Sequence, residues 1–146
     1  MNKKIAIIGA GGHGKVVGEI ALLNQFDTID FFDDKKDEIK KFPFKIIGNL
    51  EELRNRIKNY DIFFVAIGDN KIRYDQISWL KKEKKNIASL IHPKSTISQF
   101  SSIGIGSCVM ANAVVNPGTF IKEGVIINTS SSIDHDCFIE NYAHIS

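Results

Sequence analysis

Apolar residues follow one rhythm up to about residue 92 and a different one beyond it. In the first stretch, short apolar runs alternate with amphipathic segments. Residues 5–8 (IAII) read as a buried strand that stops at Gly9. Residues 15–25 carry apolar side chains at 16, 17, 20, 21 and 23, the spacing of one helical face. Residues 28–32 and 44–47 are β-rich runs, stopped by Asp33 and Asp34 and by Gly48. Asn49 followed by Glu52 has the form of a helix start, with Leu50, Leu53 and Ile57 turned inward. Residues 62–67 (IFFVAI) are the clearest buried strand, and a helix over 71–85 follows, carrying Ile72, Ile77, Trp79 and Leu80. Residues 87–91 close the set. Strands alternating with helices predict a parallel sheet with right-handed crossovers, a Rossmann-like α/β domain over residues 1–92.

From residue 93 onward the period is six. Ile97, Ile103, Val109, Val115, Ile121, Ile127, Ile133, Ile139 and Ile145 hold one frame without exception. Four residues after each aliphatic stands a small or β-branched one: Ser101, Ser107, Ala113, Thr119, Val125, Ser131, Cys137 and Ala143. Neither a helix nor an ordinary strand repeats every six residues. A β-helix with three short faces per turn does, with one aliphatic pointing inward on each face and the small residue at the corner. Residues 93–146 are therefore predicted to form a β-helix of just under three coils.

Composition sharpens this division. Of 19 Lys and Arg, 17 precede residue 91, and beyond Ile97 only Lys122 is basic. The net charge of +2 is too small for a dedicated nucleic-acid binder. Cys108 and Cys137 form neither a disulfide framework nor a metal-ligand spacing, so no metal is expected and a reducing, cytoplasmic setting fits. The apolar run at 5–8 is far shorter than a signal-peptide core or a membrane span, so no membrane partner is expected.

Candidate chemistry gathers in two places. Gly9, Gly11 and Gly14 fit G-x-G-x-x-G between a strand and a helix, where the backbone turns tightly and helix N–H groups meet a diphosphate; a structural turn without ligand is the alternative. His13 lies in this loop. Asp33 and Asp34 end the second strand, where a dinucleotide fold places an acid against ribose hydroxyls; a plain solvated turn is the alternative. Asp69, Asn70 and Arg73 follow the strand at 62–67, and Asp69 or Asn70 has a competing role as a helix cap. In the second half, His135 stands between Asp134 and Asp136, two positions after the inward Ile133. A neutral imidazole is suited to accept a proton at neutral pH, and a carboxylate neighbour raises its basicity. The bland reading is a polar corner residue. Cys108 and Cys137 read as packing residues.

The hexapeptide pattern, preceded by IAIIGAGGHGK, DFFDD and VAIGDN and containing NTSSSIDHDC, resembles the sugar acetyltransferases of the left-handed β-helix superfamily. More narrowly, it is similar to the branch that N-acetylates UDP-linked 4-amino sugars in the bacillosamine pathway and to the related sialic acid O-acetyltransferases. The resemblance implies that the β-helix is left-handed and that Gly11, Gly12, His13, Asp33, Asp34 and Gly68 surround a nucleotide sugar. It further implies that His135 is the general base, supported by Asp136, that His144 lies near acetyl-CoA, and that a homotrimer holds acetyl-CoA between neighbours. Asp136 stands where close members of the branch carry Glu, which keeps Asp134 as an alternative partner for the ring. Members of the branch continue with further coils, so the resemblance also implies that a chain stopping at Ser146 is truncated and transfers acetyl groups weakly or not at all. Two other functions remain open: an O-acetyltransferase acting on sialic acid or another sugar, and a non-catalytic nucleotide-binding module with a trimerisation stalk.

Overall fold

The computed structural model describes residues 2–146, in two compact units that part between Ile87 and Ala88. The first unit runs β1 (Lys4–Ile8), α1 (Gly12–Leu23), β2 (Thr28–Phe32), β3 (Lys45–Gly48), α2 (Leu50–Asn55), a 3-10 turn at Ile57–Asn59, β4 (Ile62–Val65), α3 (Asn70–Lys82) and β5 (Asn86–Ile87). The sheet order is β3-β2-β1-β4-β5 and every pairing is parallel. Ile5, Ala6 and Ile7 of the central strand are fully buried, which is why β1 is continuously apolar rather than alternating. The order reverses on either side of β1, so the chain leaves β1 and β4 in opposite directions and a crevice opens beyond their carboxyl ends.

Local chemistry explains the helix starts. Asn49 and Glu52 form the expected capping box: Glu52 N donates to Asn49 Oδ1 at 2.8 Å and Asn49 N donates to Glu52 Oε2 at 2.6 Å. Lys36 Nζ adds a 2.9 Å bond to the same carboxyl, and these contacts hold Glu52 below the usual carboxylate range. Helix α1 begins at Gly12, three residues earlier than the apolar pattern indicates, because Gly11 is extended and serves as its cap. In α3 the inward face is Arg73, Ile77 and Leu80, at i, i+4 and i+7. Ile72, on the same helix, is 47 % exposed because it lies off that stripe.

The second unit begins earlier than residue 93. The apolar run at 87–91 is two strands rather than one: Ile87 belongs to β5, whereas Leu90–Ile91 pair with Cys108–Val109. From there, two-residue strands build three parallel sheets. One contains Leu90–Ile91, Cys108–Val109, Ile126–Ile127 and His144–Ile145; a second contains Thr96–Ile97, Val114–Val115 and Ser132–Ile133; a third contains Ser102–Ile103, Phe120–Ile121 and Phe138–Ile139. Each strand pairs in register with the one 18 residues further on, as in Ile97, Val115 and Ile133. The chain visits the three sheets in rotation. Val109, Val115, Ile121, Ile127 and Ile133 are buried along the interior, and Ile97, Ile103, Ile139 and Ile145 are half-buried towards its ends. A third column escaped the sequence reading. Three residues after each aliphatic from Ile103 onward the backbone is left-handed, at Gly106, Asn112, Gly118, Gly124, Ser130, Asp136 and Tyr142. These residues turn the corners.

Candidate functional site

The glycine loop lies in the crevice beyond β1 and β4, and its glycines have separate physical reasons. Gly9 has φ of +105°, and a Cβ there would lie 2.6 Å from Ala66 O, because Ala66 N bonds Ile8 O and draws the two strand ends together. Gly14 packs its Cα against Gly9 O, and a Cβ would overlap that carbonyl. Gly11 and Gly12 are different: a Cβ on either meets nothing within 4 Å, and the same holds for Gly68 on the facing loop. Their lack of side chains is not demanded by packing. Gly11 also leaves the N-terminus of α1 without a side-chain cap, and Gly11, Gly12 and His13 line the crevice at the positive end of the helix.

Gly9, Gly11, Gly12, His13, Asp33 and Gly68 line one cleft of about 240 Å³ together with Ala66 and Ile67. A second of about 310 Å³ shares Gly9, Asp33 and Ile67 with it and adds Ile8, Phe32, Asp34, Lys35, Leu50 and Ile72. The two are contiguous at Gly9 and Asp33, and the apolar lining of the second was not foreseen in the sequence. A larger hollow of about 370 Å³ lies along the flank of α1 beside Phe44 and contains none of the candidate residues.

The acids at the crevice are partly engaged. Asp33 accepts from Ala10 N and from Lys35 N, both at 2.8 Å, and so ties β2 to the glycine loop. Asp34 accepts from Leu50 N at 3.0 Å, at the start of α2. Asp69 caps α3 by accepting from Ile72 N at 2.9 Å. Arg73, grouped with Asp69 at the ligand-binding edge by its position in sequence, is instead 1 % exposed. Its guanidinium donates to Ile67 O and Gly68 O at 2.9 Å and to Asn70 Oδ1 at 2.8 Å, holding the loop after β4 from within.

In the second unit, residues 134–137 form a corner between Ser132–Ile133 and Phe138–Ile139. His135 Nδ1 lies 2.7 Å from Asp136 Oδ2, with both side chains largely exposed. Asp136 reaches the ring despite its short side chain because its φ of +56° curls the corner back on itself. Asp134 turns the other way and accepts from His135 N at 2.8 Å. The hydrogen bond that the ring donates to Asp136, then the negative charges of Asp134 and Asp136, raise the imidazole above the ordinary histidine range. With Nδ1–H donated to the carboxylate, Nε2 is left as the proton acceptor.

His144 is exposed at the start of its strand, beside Ile126 on the neighbouring coil. Cys108 is buried, and burial pushes its thiol up to about 12, which leaves no thiolate for nucleophilic chemistry. Among the described residues no group of three or more His, Cys, Asp or Glu could hold a metal ion, and no helix is long and apolar enough to cross a membrane.

Comparison with known proteins bears on both halves. The chain is 33% identical to UDP-N-acetylbacillosamine N-acetyltransferase of Bacillus subtilis, an alignment covering 75% of this chain and 52% of that protein. The chain thus spans about half the length of this curated relative. Among solved structures, the acetyltransferase domain of PglB from Neisseria gonorrhoeae in complex with acetyl coenzyme A superposes with a TM-score of 0.90 at 40% identity, covering 99% of this chain and 70% of that one. PerB from Caulobacter crescentus, in complex with CoA and GDP-perosamine, superposes with a TM-score of 0.87 at 30% identity, covering 97% and 67%. Residues 4–80, a little over half of the chain, match the PglD N-terminal domain, and the chain belongs to that family.

Proposed function

We propose that the chain is part of an acetyl-CoA-dependent N-acetyltransferase that acts on the amino group of a UDP-linked 4-amino sugar, with His135 as general base. The observation that carries this reading is the 2.7 Å contact between His135 Nδ1 and Asp136 Oδ2 on an exposed corner, which orients Nε2 outward as a proton acceptor. The relatives give the chemistry its class: the Bacillus protein is a UDP-N-acetylbacillosamine N-acetyltransferase, and the Neisseria and Caulobacter structures hold acetyl coenzyme A or CoA. In this reading residues 93–146 form a left-handed β-helix, the working assembly is a homotrimer, and acetyl-CoA lies between neighbouring β-helices close to His144.

The nucleotide sugar is held by the first unit. Its diphosphate meets the N–H groups at Gly11, Gly12 and His13, and the open faces of Gly11 and Gly68 admit it. Asp33 and Asp34 sit beside its sugar and base. The sugar amine attacks the thioester carbonyl of acetyl-CoA, forming the N–C bond, while Nε2 takes the amine proton. The tetrahedral oxyanion is steadied by a backbone N–H and collapses with cleavage of the C–S bond. His135 then returns the proton to the departing thiolate, giving the amide and CoA-SH. No covalent acyl-enzyme is formed.

The test joins binding to turnover. Calorimetric titration with a UDP-4-amino sugar is expected to show binding that CMP-sialic acid, free sialic acid and NAD do not match. His135→Ala is expected to spare this binding and lower transfer about 10²- to 10⁴-fold. Because a base must be neutral and Asp136 raises the His135 pKa, the rate should climb with pH through a midpoint above that of an ordinary histidine. Wild-type turnover in His135→Ala, or selective binding of NAD, would overturn the assignment.

A further inference from the structure

The corner that carries His135 rests on the corner one coil earlier. Eighteen residues before Asp136 in the left-handed column stands Gly118, and the two corners are tied at fixed height. Asp136 N donates to Pro117 O at 3.0 Å, Phe120 N to Cys137 O at 2.8 Å, and Thr119 Oγ1 to Asp134 O at 2.7 Å. Thr119 is 1 % exposed, so its bond to Asp134 O is anchored on the buried side of the corner. A Cβ built on Gly118 would overlap Asp136 Oδ1 and stand 3.2 Å from its Cγ. The space above Gly118 is the space the carboxyl occupies.

Backbone conformation alone does not account for a glycine here. Gly118 has φ of +77°, but the same column tolerates Asn112, Ser130, Asp136 and Tyr142 at φ of 56° to 61°. Asparagine in particular adopts this region at modest cost. What separates Gly118 from those corners is the carboxylate packed against its Cα.

We infer that Gly118 is a positioning residue for the His135–Asp136 pair, its missing side chain leaving the room that lets Asp136 fold back onto the imidazole. A side chain at 118 rotates the Asp136 carboxyl away, and Oδ2 leaves Nδ1. The ring then loses the contact that fixes its tautomer and keeps Nε2 outward, while retaining the more distant charge of Asp134. The consequence for catalysis rests on the assignment of His135 as base; the geometric claim does not.

The experiment follows the imidazole directly, by ¹⁵N-detected NMR titration of His135 in the 146-residue chain without substrate. Gly118→Asn is expected to lower the His135 pKa in the same direction as Asp136→Asn, and to shift the neutral ring away from a single tautomer. Gly106→Asn, at a left-handed corner with φ of +71°, is expected to leave both unchanged. In an active enzyme Gly118→Asn should lower kcat/KM roughly ten- to a hundredfold with little change in KM for the nucleotide sugar. A folded Gly118→Asn whose His135 titrates as in the wild type overturns the proposal. If Gly118→Asn does not fold, combining it with Asp136→Ala removes the overlap and should restore the fold; failure to do so overturns it equally. A lowered pKa in Gly118→Asn beside an active His135→Ala would keep the positioning role and remove the base assignment instead.

Discussion

Two glycines of the loop, Gly14 and Gly11, allow a test that separates folding from ligand recognition. Gly14→Ala sets a methyl against Gly9 O at less than contact distance, between two backbones that neither helix α1 nor β1 can easily move. Overpacking of this kind costs about 1–3 kcal/mol. Alanine in a helix interior recovers up to ~1 kcal/mol of propensity, so a net loss on the order of 1–2 kcal/mol remains. Gly11→Ala has no such conflict: φ is −87° and ψ −160°, open to alanine, and the new methyl meets nothing within 4 Å. The restricted unfolded chain gains about 0.4–1 kcal/mol, offset by the poorer capping of alanine relative to glycine, so stability should change by less than ~1 kcal/mol. In the proposed reading that methyl stands where the diphosphate approaches, and the affinity for a UDP-4-amino sugar should then fall at least about tenfold, or 1.4 kcal/mol. Urea unfolding and calorimetric titration of both variants read the two quantities separately. Wild-type affinity in a folded Gly11→Ala would refute the view that Gly11 is kept for a ligand, and an undiminished stability in Gly14→Ala would refute the packing argument.

Two further outcomes concern stability. Ile127→Ala removes a fully buried side chain from the middle of the aliphatic column and should cost about 2–5 kcal/mol in urea unfolding, more than the same change at the half-buried Ile145. Equal losses would mean that the column is not a continuous core. Arg73→Met keeps the apolar stem but strips the donors from Ile67 O, Gly68 O and Asn70 Oδ1, and should cost roughly 2–3 kcal/mol; by loosening the Gly68 loop it should also weaken the proposed nucleotide-sugar binding. A stable variant with normal affinity would show that the guanidinium is dispensable to the loop.

The parts of the fold readable in the sequence are those encoded by repetition or by local pairing. The inward aliphatics recur in one frame because each must fill the same interior position, and Asn49 with Glu52 announces a helix start through contacts only three residues apart. Features set by distant neighbours were not readable. A five-residue apolar run at 87–91 gives no sign that its two ends belong to different sheets, since that depends on partners at 62–63 and 108–109. The buried stripe of α3 is not readable from its apolar residues, because an arginine occupies it and its carbonyl partners lie in the loop after β4. Whether Asp33 meets a ligand or a backbone N–H is decided by Ala10, 23 residues away. At the histidine corner the sequence left Asp134 and Asp136 open as partners of His135. The left-handed turn at Asp136 distinguishes them, and its trace in the sequence is a six-residue column of Gly, Asn, Ser and Asp that Tyr142 interrupts.

The 18-residue register makes position in the coil a matter of modular arithmetic. Removing six residues upstream of the histidine corner would leave every aliphatic pointing inward and every left-handed turn at a corner, so the chain would still wind. It would, however, carry His135 a third of the way round the axis, to an edge where a different corner lies beneath it. Removing eighteen would return it to its own edge one rung lower. Changes of length that are neutral for folding therefore divide into those that keep the histidine on its edge and those that do not, and only whole coils belong to the first kind.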